Sequence, residues 1–188
     1  MRKLKLQVQM SVYGFISGSK GEMNWMAFPW TKDIEEYVTT LTEPVDTILL
    51  GKNLATGFIP HWAAVAMDEK NPEQKAGVKF TQTPKVVFSN TLTESQWENT
   101  EISNGDYVKK ISTLKQQSGG DIIAYGGGQF VSSLIKEKLI DELHLFVNPA
   151  ILGQGMPIFQ DVEDMQKLDL ISSKQFDCGI MVLVYKPA

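Results

Sequence analysis

The sequence contains a single cysteine, Cys178, and only two histidines, His61 and His144. One cysteine excludes an internal disulfide framework and any multi-cysteine zinc site. The two histidines lie too far apart to form a local metal motif, so no metal is expected. No apolar run reaches the ~18 residues that a membrane span requires. The charged opening Met1-Arg2-Lys3-Leu4-Lys5 is not followed by the apolar stretch of a signal peptide. A basic excess is also missing: 18 Lys and Arg face 22 Asp and Glu, for a net charge of −4. That balance is the reverse of what a generic nucleic-acid binder carries. Repeats, low-complexity tracts and a linker are absent. These absences leave one domain spanning residues 1–188, of ordinary globular composition and cytoplasmic character.

The chain begins with strict alternation. Leu4, Leu6, Val8, Met10 and Val12 point one way, and Lys5, Gln7, Gln9 and Ser11 the other. Period two predicts a strand. A stretch with Gly14, Gly18 and Gly21 follows and reads as a mobile loop. Thr31 is placed as the N-cap of a helix carrying Ile34, Tyr37, Val38 and Leu41, closed by Pro44. Residues 46–50 and 86–88 read as buried strands, and residues 52–80 as irregular. Tyr107, Val108, Ile111 and Leu114 mark a second helix, Ile122–Tyr125 a strand, and Phe130–Ile135 a third helix. Leu143–Val147 is the next strand. Leu168–Phe176 and Ile180–Tyr185 form a hairpin around Asp177-Cys178-Gly179. Strand-helix alternation predicts an α/β fold, mainly a parallel sheet, that ends in an antiparallel hairpin.

Three strand ends carry chemistry. Residues 121–125 run into Gly126-Gly127-Gly128-Gln129-Phe130 where a helix begins. Glycine permits close backbone approach, and free N–H groups at a helix start attract anions. The guest is a phosphate or pyrophosphate; the alternative is a tight turn that only packs helix on sheet. The other two ends are Gly51-Lys52-Asn53 and Ser89-Asn90. Alone, Lys52 reads as a solvated lysine and Ser89-Asn90 as turn chemistry. Together the three ends favour a site, because ligands of open parallel sheets bind beyond the carboxyl ends of the strands.

These residues resemble a known family. Gly51-Lys52, Ser89-Asn90, Gly126-Gly127-Gly128 and Asp141-Glu142-Leu143 occur in the order and spacing of dihydrofolate reductases. Pro84–Leu92, Trp97 and Asp141-Glu142-Leu143 followed by Pro149, Leu152-Gly153-Gln154-Gly155 and Phe159 resemble the reductase domain of bacterial riboflavin biosynthesis. The resemblance covers residues 4–186. It implies a three-layer dihydrofolate reductase-like fold, NADPH as cofactor and a homodimer. It places Lys52, Gly51, Ser89 and Asn90 at the adenosine 2′-phosphate, and Gly126, Gly127, Gly128, Gln129 and Phe130 at the pyrophosphate. Ile16 and Ser17 fall in a loop over the nicotinamide.

The sequence departs from the family on the substrate side. The pterin-binding carboxylate of dihydrofolate reductases falls at or near Thr31. Asp33, two residues on, is rotated by about 200° around a helix. The riboflavin-type Ser-Leu-Asp-Gly is Ser11-Val12-Tyr13-Gly14 here, and its Asp-Trp is Asn24-Trp25. Glu22, Asp33 and a bound water are the candidate proton donors. Trp25, Phe28 and Thr31 are candidate substrate contacts, within an apolar cluster (Met23 to Trp30) that is either core packing or an aromatic wall. His61 is a weaker candidate on the same side. The expected activity is reduction of a small heterocycle, a pterin or a 5-amino-6-ribosylaminopyrimidine-like ring. The alternative is an NADP-binding protein that kept the fold and lost the acids. An apolar C-terminal strand, residues 180–185, needs cover from its own helices or from a second copy.

Overall fold

The first strand is apolar on one side and polar on the other, yet both sides are buried. Leu4, Leu6 and Val8 are almost fully covered, and so are Lys5 and Gln7. Its position explains this. In the computed structural model, which describes residues 1–188, this strand, β1 (Leu4–Met10), lies inside the sheet with a neighbour on each edge. The chain continues through β2 (Phe15–Gly18), α1 (Lys32–Thr42), β3 (Val45–Gly51), α2 (Lys52–Met67), α3 (Gln74–Gln82), β4 (Lys85–Phe88) and β5 (Thr100–Ser103). It then forms α4 (Tyr107–Gln116), β6 (Asp121–Tyr125), α5 (Gly128–Lys136), β7 (Glu142–Val147), β8 (Gly155–Pro157), β9 (Leu168–Gln175) and β10 (Met181–Pro187).

Eight strands form one sheet in the order β5-β4-β3-β6-β1-β7-β10-β9. The pairings from β5 to β7 are parallel, and β10 runs antiparallel to both β7 and β9. Helices cover both faces, giving the three-layer α/β fold of the dihydrofolate reductase type. On one face α4 and α5 bury Ile111, Val131 and Leu134 against Leu4, Leu6, Ile122 and Leu143. The other face is divided. Over β7 and β10, α1 packs Ile34 and Leu41 on Phe146, Val182 and Val184. Over β3, β4 and β6, α2 and α3 pack Ala55, Ile59 and Phe80 on Val45, Ile48 and Val87. Between these two clusters runs the polar side of β1.

The segment 52–80 is not irregular: it holds α2 and most of α3. The helical period is masked in α2, which is apolar over much of its circumference and carries Pro60 within it. α3 crosses it closely at Gly77, where an added Cβ would stand 2.6 Å from the backbone nitrogen of Ala66. The expected loop after β1 contains a strand, since β2 pairs with β8. Four- and three-residue strands that exist only by pairing with each other leave no periodic trace. β5, four residues held at the sheet edge by β4, likewise leaves too short a trace to read. In the tail, β10 is internal and β9 is the edge, so the apolar strand is covered within the chain by β7, β9 and α1.

Candidate functional site

Because β1, β3, β4 and β6 are parallel neighbours, their carboxyl ends lie at one rim of the sheet. Two helices start there. α2 follows directly from β3 with Gly51 as its N-cap, and α5 follows β6 with Gly127 as its N-cap; neither has a side-chain cap. The two starts are in contact. A Cβ built on Gly51 would lie 3.0 Å from Cβ of Phe130, and one built on Gly127 would meet only Leu54, at 3.9 Å. Phe130 in turn stacks on Phe88, with ring centroids 5.1 Å apart. The first-turn N–H groups of a helix have no partner inside it, and the end carries partial positive charge. Two such ends side by side are a geometry to which anions bind. Gly127 faces open space, whereas Gly51, Gly126 and Gly128 stand close against Phe130, Val8 and Met156.

Beside these starts, Lys52 Nζ donates a 2.6 Å hydrogen bond to Thr91 Oγ1. Ser89 Oγ accepts from the backbone N–H groups of Thr91 (3.1 Å) and Leu92 (3.0 Å), which folds the chain after β4 into a tight turn. Its hydroxyl also lies 3.4 Å from Thr91 Oγ1, a contact in which either group can donate. Lys52, Ser89 and Thr91 therefore form one cluster of a cation and two hydroxyls. Asn90 is exposed next to it, as is Gln129 on α5. Thr91 was not singled out in the sequence. The signal was its place two residues after Ser89 in the same turn.

Ile16 and Ser17 lie in β2. The Ile16 side chain reaches the glycine loop, since a Cβ on Gly128 would lie 3.6 Å from its Cδ1 and 3.0 Å from Met156 Sδ. Ser17 is buried and donates to the carbonyl of Gly18. Ile16 thus joins the site, while the Ser17 hydroxyl is spent locally.

The substrate-side carboxylates are otherwise engaged. Asp33 Oδ1 accepts from Thr31 Oγ1 at 2.5 Å and from the Ile34 N–H at 2.9 Å, and its Oδ2 accepts from the Asp177 N–H at 3.0 Å. Thr31 Oγ1 also accepts from the Cys178 N–H. These bonds, that from Thr31 first, hold the Asp33 carboxyl below its ordinary range. Asp33 and Thr31 clamp the start of α1 to the β9–β10 turn, an arrangement with no proton to offer. Glu22 is exposed and accepts from the Lys20 N–H at 2.7 Å, and its carbonyl accepts from Trp25 Nε1 at 3.1 Å. Trp25 is half-buried. His61 is exposed on α2 against the edge of Trp62.

The aromatic cluster is a wall rather than sealed core. Phe28 is 59% exposed and Met23 50%. Trp30 stacks between Phe28 (5.6 Å) and Phe146 (6.4 Å). The wall is pinned by the fully buried Asn148 at the end of β7. Its Oδ1 accepts from the Ala27 N–H at 2.9 Å, and its Nδ2 donates to Gln9 Oε1 at 2.8 Å. From this wall the polar side of β1, with Gln9, Gln7 and Lys5, runs between the two clusters of the divided face. Cross-strand neighbours are Phe146, His144 and Glu142 on β7, and Tyr125 beside Gln7 on β6. Lys5 is paired with Asp121 at 2.7 Å. The other polar atoms are not all paired. Gln7 Oε1, Gln9 Nε2, Trp30 Nε1 and Tyr125 OH are buried without a partner. Burial pushes the Tyr125 hydroxyl far up, so it stays protonated. The sequence signal for this row was the polar half of β1. It looked like a solvent face because nothing in the sequence showed the strand to be central.

Further along this face, His144 lies between Tyr37 OH (3.2 Å from Nδ1) and Glu142 (3.4 Å from Nε2). Burial holds this imidazole below its ordinary pKa, against the opposing pull of Glu142.

The chain was compared with known proteins. It is 29% identical to the uncharacterized protein YyaP of Bacillus subtilis over 187 residues, covering 98% of this chain and 94% of that one. It is 26% identical to the uncharacterized protein YwjB of the same organism, with 96% of each chain covered. Among solved structures it superposes on a protein from Shewanella sp. PV-4 ascribed to riboflavin biosynthesis, with a TM-score of 0.76, 23% identity and 100% and 99% of the two chains covered. It also superposes on the diaminohydroxyphosphoribosylaminopyrimidine deaminase/5-amino-6-(5-phosphoribosylamino)uracil reductase of Thermotoga maritima, at a TM-score of 0.70 and 16% identity; all of this chain matches 57% of that longer one. No helix of the chain is long and apolar enough to cross a membrane. The solved structures agree with the topology described above. The sequence model of the RibD C-terminal domain matches residues 2–182, and the chain belongs to that family.

Proposed function

We propose that this protein is an NADPH-dependent reductase of a small heterocycle, a pterin or a 5-amino-6-ribosylaminopyrimidine-like ring, acting in the cytoplasm. The observation that carries the reading is the meeting of two uncapped helix starts at the carboxyl rim of a parallel sheet, with Gly127 facing open space between them. In this reading the backbone N–H groups of Gly128, Gln129 and Phe130 hold the pyrophosphate, with Gly127 giving it room, Gly51 letting the two helix starts approach and Gly126 packing against Val8. Lys52 Nζ and the Ser89 and Thr91 hydroxyls take the 2′-phosphate, flanked by Asn90. Ile16 covers the cofactor from β2. NADPH bound in this way supplies the hydride. Trp25, Phe28 and Trp30 exclude water from one side of the substrate ring. The proton comes from solvent, because Asp33 is held ionised by three donors and Glu22 faces the Lys20 N–H.

The test is a titration of the protein with NADPH and NADH, followed by NADPH oxidation with a panel of pterins and aminopyrimidines. NADPH binding in preference to NADH, with turnover of at least one ring, is the expected result. Binding without turnover on any of them would favour a non-catalytic NADP-binding protein. No binding of either nucleotide would overturn the reading.

We also propose a homodimer, on a different surface from the apolar strand β10. Opposite residues of the β9–β10 hairpin share a face, which on the α5 side carries Leu168, Leu170, Ser173, Gln175, Met181, Leu183, Tyr185 and Pro187. None is charged, and Leu168, Leu170 and Met181 are 39%, 56% and 43% exposed. A bulge next to Tyr185, together with Asp169 and Lys174, discourages strand addition at the β9 edge. An uncharged apolar face is complementary to its own copy across a two-fold axis. Light scattering at micromolar concentration should return twice the chain mass, and Leu170→Lys should return the monomer. A concentration-independent monomer in the unaltered protein would overturn the dimer.

A further inference from the structure

At the far end of α5 from Gly127, the helix closes in a motif with an unusual occupant. The Lys138 N–H donates to the Ile135 carbonyl and the Leu139 N–H to the Leu134 carbonyl, both at 3.0 Å. This pair of bonds requires a left-handed residue just past the helix, and glycine is the one that takes it without strain. Here the residue is Lys138, at a φ of 53°. The helix dipole does not account for it, because Lys136 already brings a cation to the last turn. The Lys138 ammonium takes part in no ion pair of the fold.

Lys138 lines a cavity of about 190 Å³. Ile135, Ile140 and Leu143 on its wall are buried, whereas Phe159 and Leu168 are 40% and 39% exposed beside it. Gln166 brings an amide, but its Nε2 is spent on the Ile135 carbonyl at 3.0 Å. Lys138 is therefore the single charged group of an otherwise apolar lining. The cavity sits where β7 begins and β10 ends, at the amino rim of the sheet. The nine residues of α5 separate it from the helix start at Gly127, by about 13 Å.

We propose that this cavity is a second ligand site, for a small apolar monocarboxylate with one ring or a short chain, whose carboxylate meets Lys138 Nζ. A dry apolar cavity of about 150 Å³ admits benzene, so the volume here holds a ring with a short arm. Water gains little in such a lining, because it finds few polar partners there. The unpaired ammonium selects the sign of the head group. The rival occupant is a second copy of the chain, since Leu168 and Pro187 also end the hairpin face assigned above to the dimer. That face carries no charge, so its copy would bring no partner to Lys138. The site is independent of the reductase reading.

Phenylacetate, 2-phenylethanol and phenethylamine share one outline and differ in charge. Their binding to the full chain is read by ligand-detected NMR and calorimetry. Phenylacetate is expected to saturate with a Kd of about 1 mM or below. The alcohol should bind about fivefold more weakly and the amine at least about tenfold more weakly. Lys138→Gly suits the left-handed backbone, so its melting temperature should hold or rise. Its phenylacetate affinity should fall to that of the alcohol. Val162→Trp, which fills the cavity, should abolish binding of all three, with NADPH titration unchanged in both variants.

Absence of saturable phenylacetate binding would overturn the proposal, as would equal affinity for the three probes. Phenylacetate affinity unchanged in Lys138→Gly would do the same, and this arm decides the matter even if Val162→Trp fails to fold. Binding that appears only in the Leu170→Lys variant would mean that a second copy fills the cavity. Competition between phenylacetate and NADPH would place the probe at the carboxyl rim. Either result would also overturn the site.

Discussion

The two rims of the same parallel sheet are built to opposite rules. At the amino ends of the strands charged side chains tie several backbone groups. Arg2 bonds Asp46, Thr47 Oγ1 and the Gly120 carbonyl, and Asp46 accepts from the Gly120 N–H. Lys115 bonds Asp141 and the Leu139 carbonyl, and Asp141 accepts from the Leu4 N–H. Lys85 is 3% exposed and donates to the carbonyls of Phe80 (2.9 Å), Thr81 (2.9 Å) and Thr83 (2.7 Å), closing the end of α3. At the carboxyl ends, two helix starts have no side-chain cap, and the polar row of β1 beside them holds unpaired buried groups. One rim pairs most of its polar groups, with Thr81 Oγ1 the exception, and holds the fold. The other leaves them unmet, which is the state a ligand can relieve. Stability and binding should therefore be separable by mutation.

The sharpest separation is expected at Gly127. Its φ of 162° is extended backbone, and an added Cβ would meet only Leu54 at 3.9 Å. Gly127→Val should leave the melting temperature nearly unchanged. NADPH affinity should fall by a hundredfold or more, about 2.7 kcal/mol, because the branched side chain occupies the space assigned to the pyrophosphate. Unimpaired titration would show that the loop only packs helix on sheet.

The opposite rim should give the mirror-image result. Lys85→Met strands three carbonyls and should cost on the order of 2–3 kcal/mol in urea unfolding, with nucleotide affinity unchanged in the folded protein. Loss of both stability and affinity in proportion would erase the contrast between the rims.

Lys52 tests the polar corner of the open rim. Lys52→Ala should weaken NADPH by about fivefold to tenfold, roughly 1 kcal/mol for a contact open to solvent, and leave NADH nearly unchanged. Equal losses for both would place the lysine away from the 2′-phosphate.

The smallest effect concerns pH. Burial lowers the His144 pKa in the folded chain from the 6.5 of a free imidazole. The unfolded chain therefore binds the proton more readily. Stability from this group is full above the unfolded pKa and falls as pH drops from there through the folded value. His144→Gln should flatten the decline in unfolding free energy as pH falls below about 6.5. An unchanged slope would mean that other groups, Glu142 among them, set the acid limit.

Much of this could be read from the residues alone. Alternation at Leu4–Met10, the glycine run after Tyr125 and the turn at Asp177-Cys178-Gly179 are local signals, because strand period, glycine freedom and turn chemistry act over a few residues. They sufficed to place most strands of the parallel core and the terminal hairpin. Local signals failed where structure is made by distant partners. β2 and β8 exist through each other, α2 is held by α3 crossing at Gly77, and β9 rather than β10 became the edge. The same limit hid the polar row of β1. Gln7 and Gln9 alternate as solvent-facing residues do, and only the placement of β6 and β7 on either side of β1, with α1 and α2 over the same face, turns that polar row inward. Likewise, Asp33 is a free carboxylate in the sequence and a bound one in the fold, because the donor that completes its clamp arrives from Asp177, far along the chain. The sequence by itself determined the strands and helices that carry a local period, and the glycine-bearing strand ends, since those depend on neighbours in the chain. Tertiary structure alone decided which polar groups are paired and which are left for a ligand, since pairing depends on what the fold brings together.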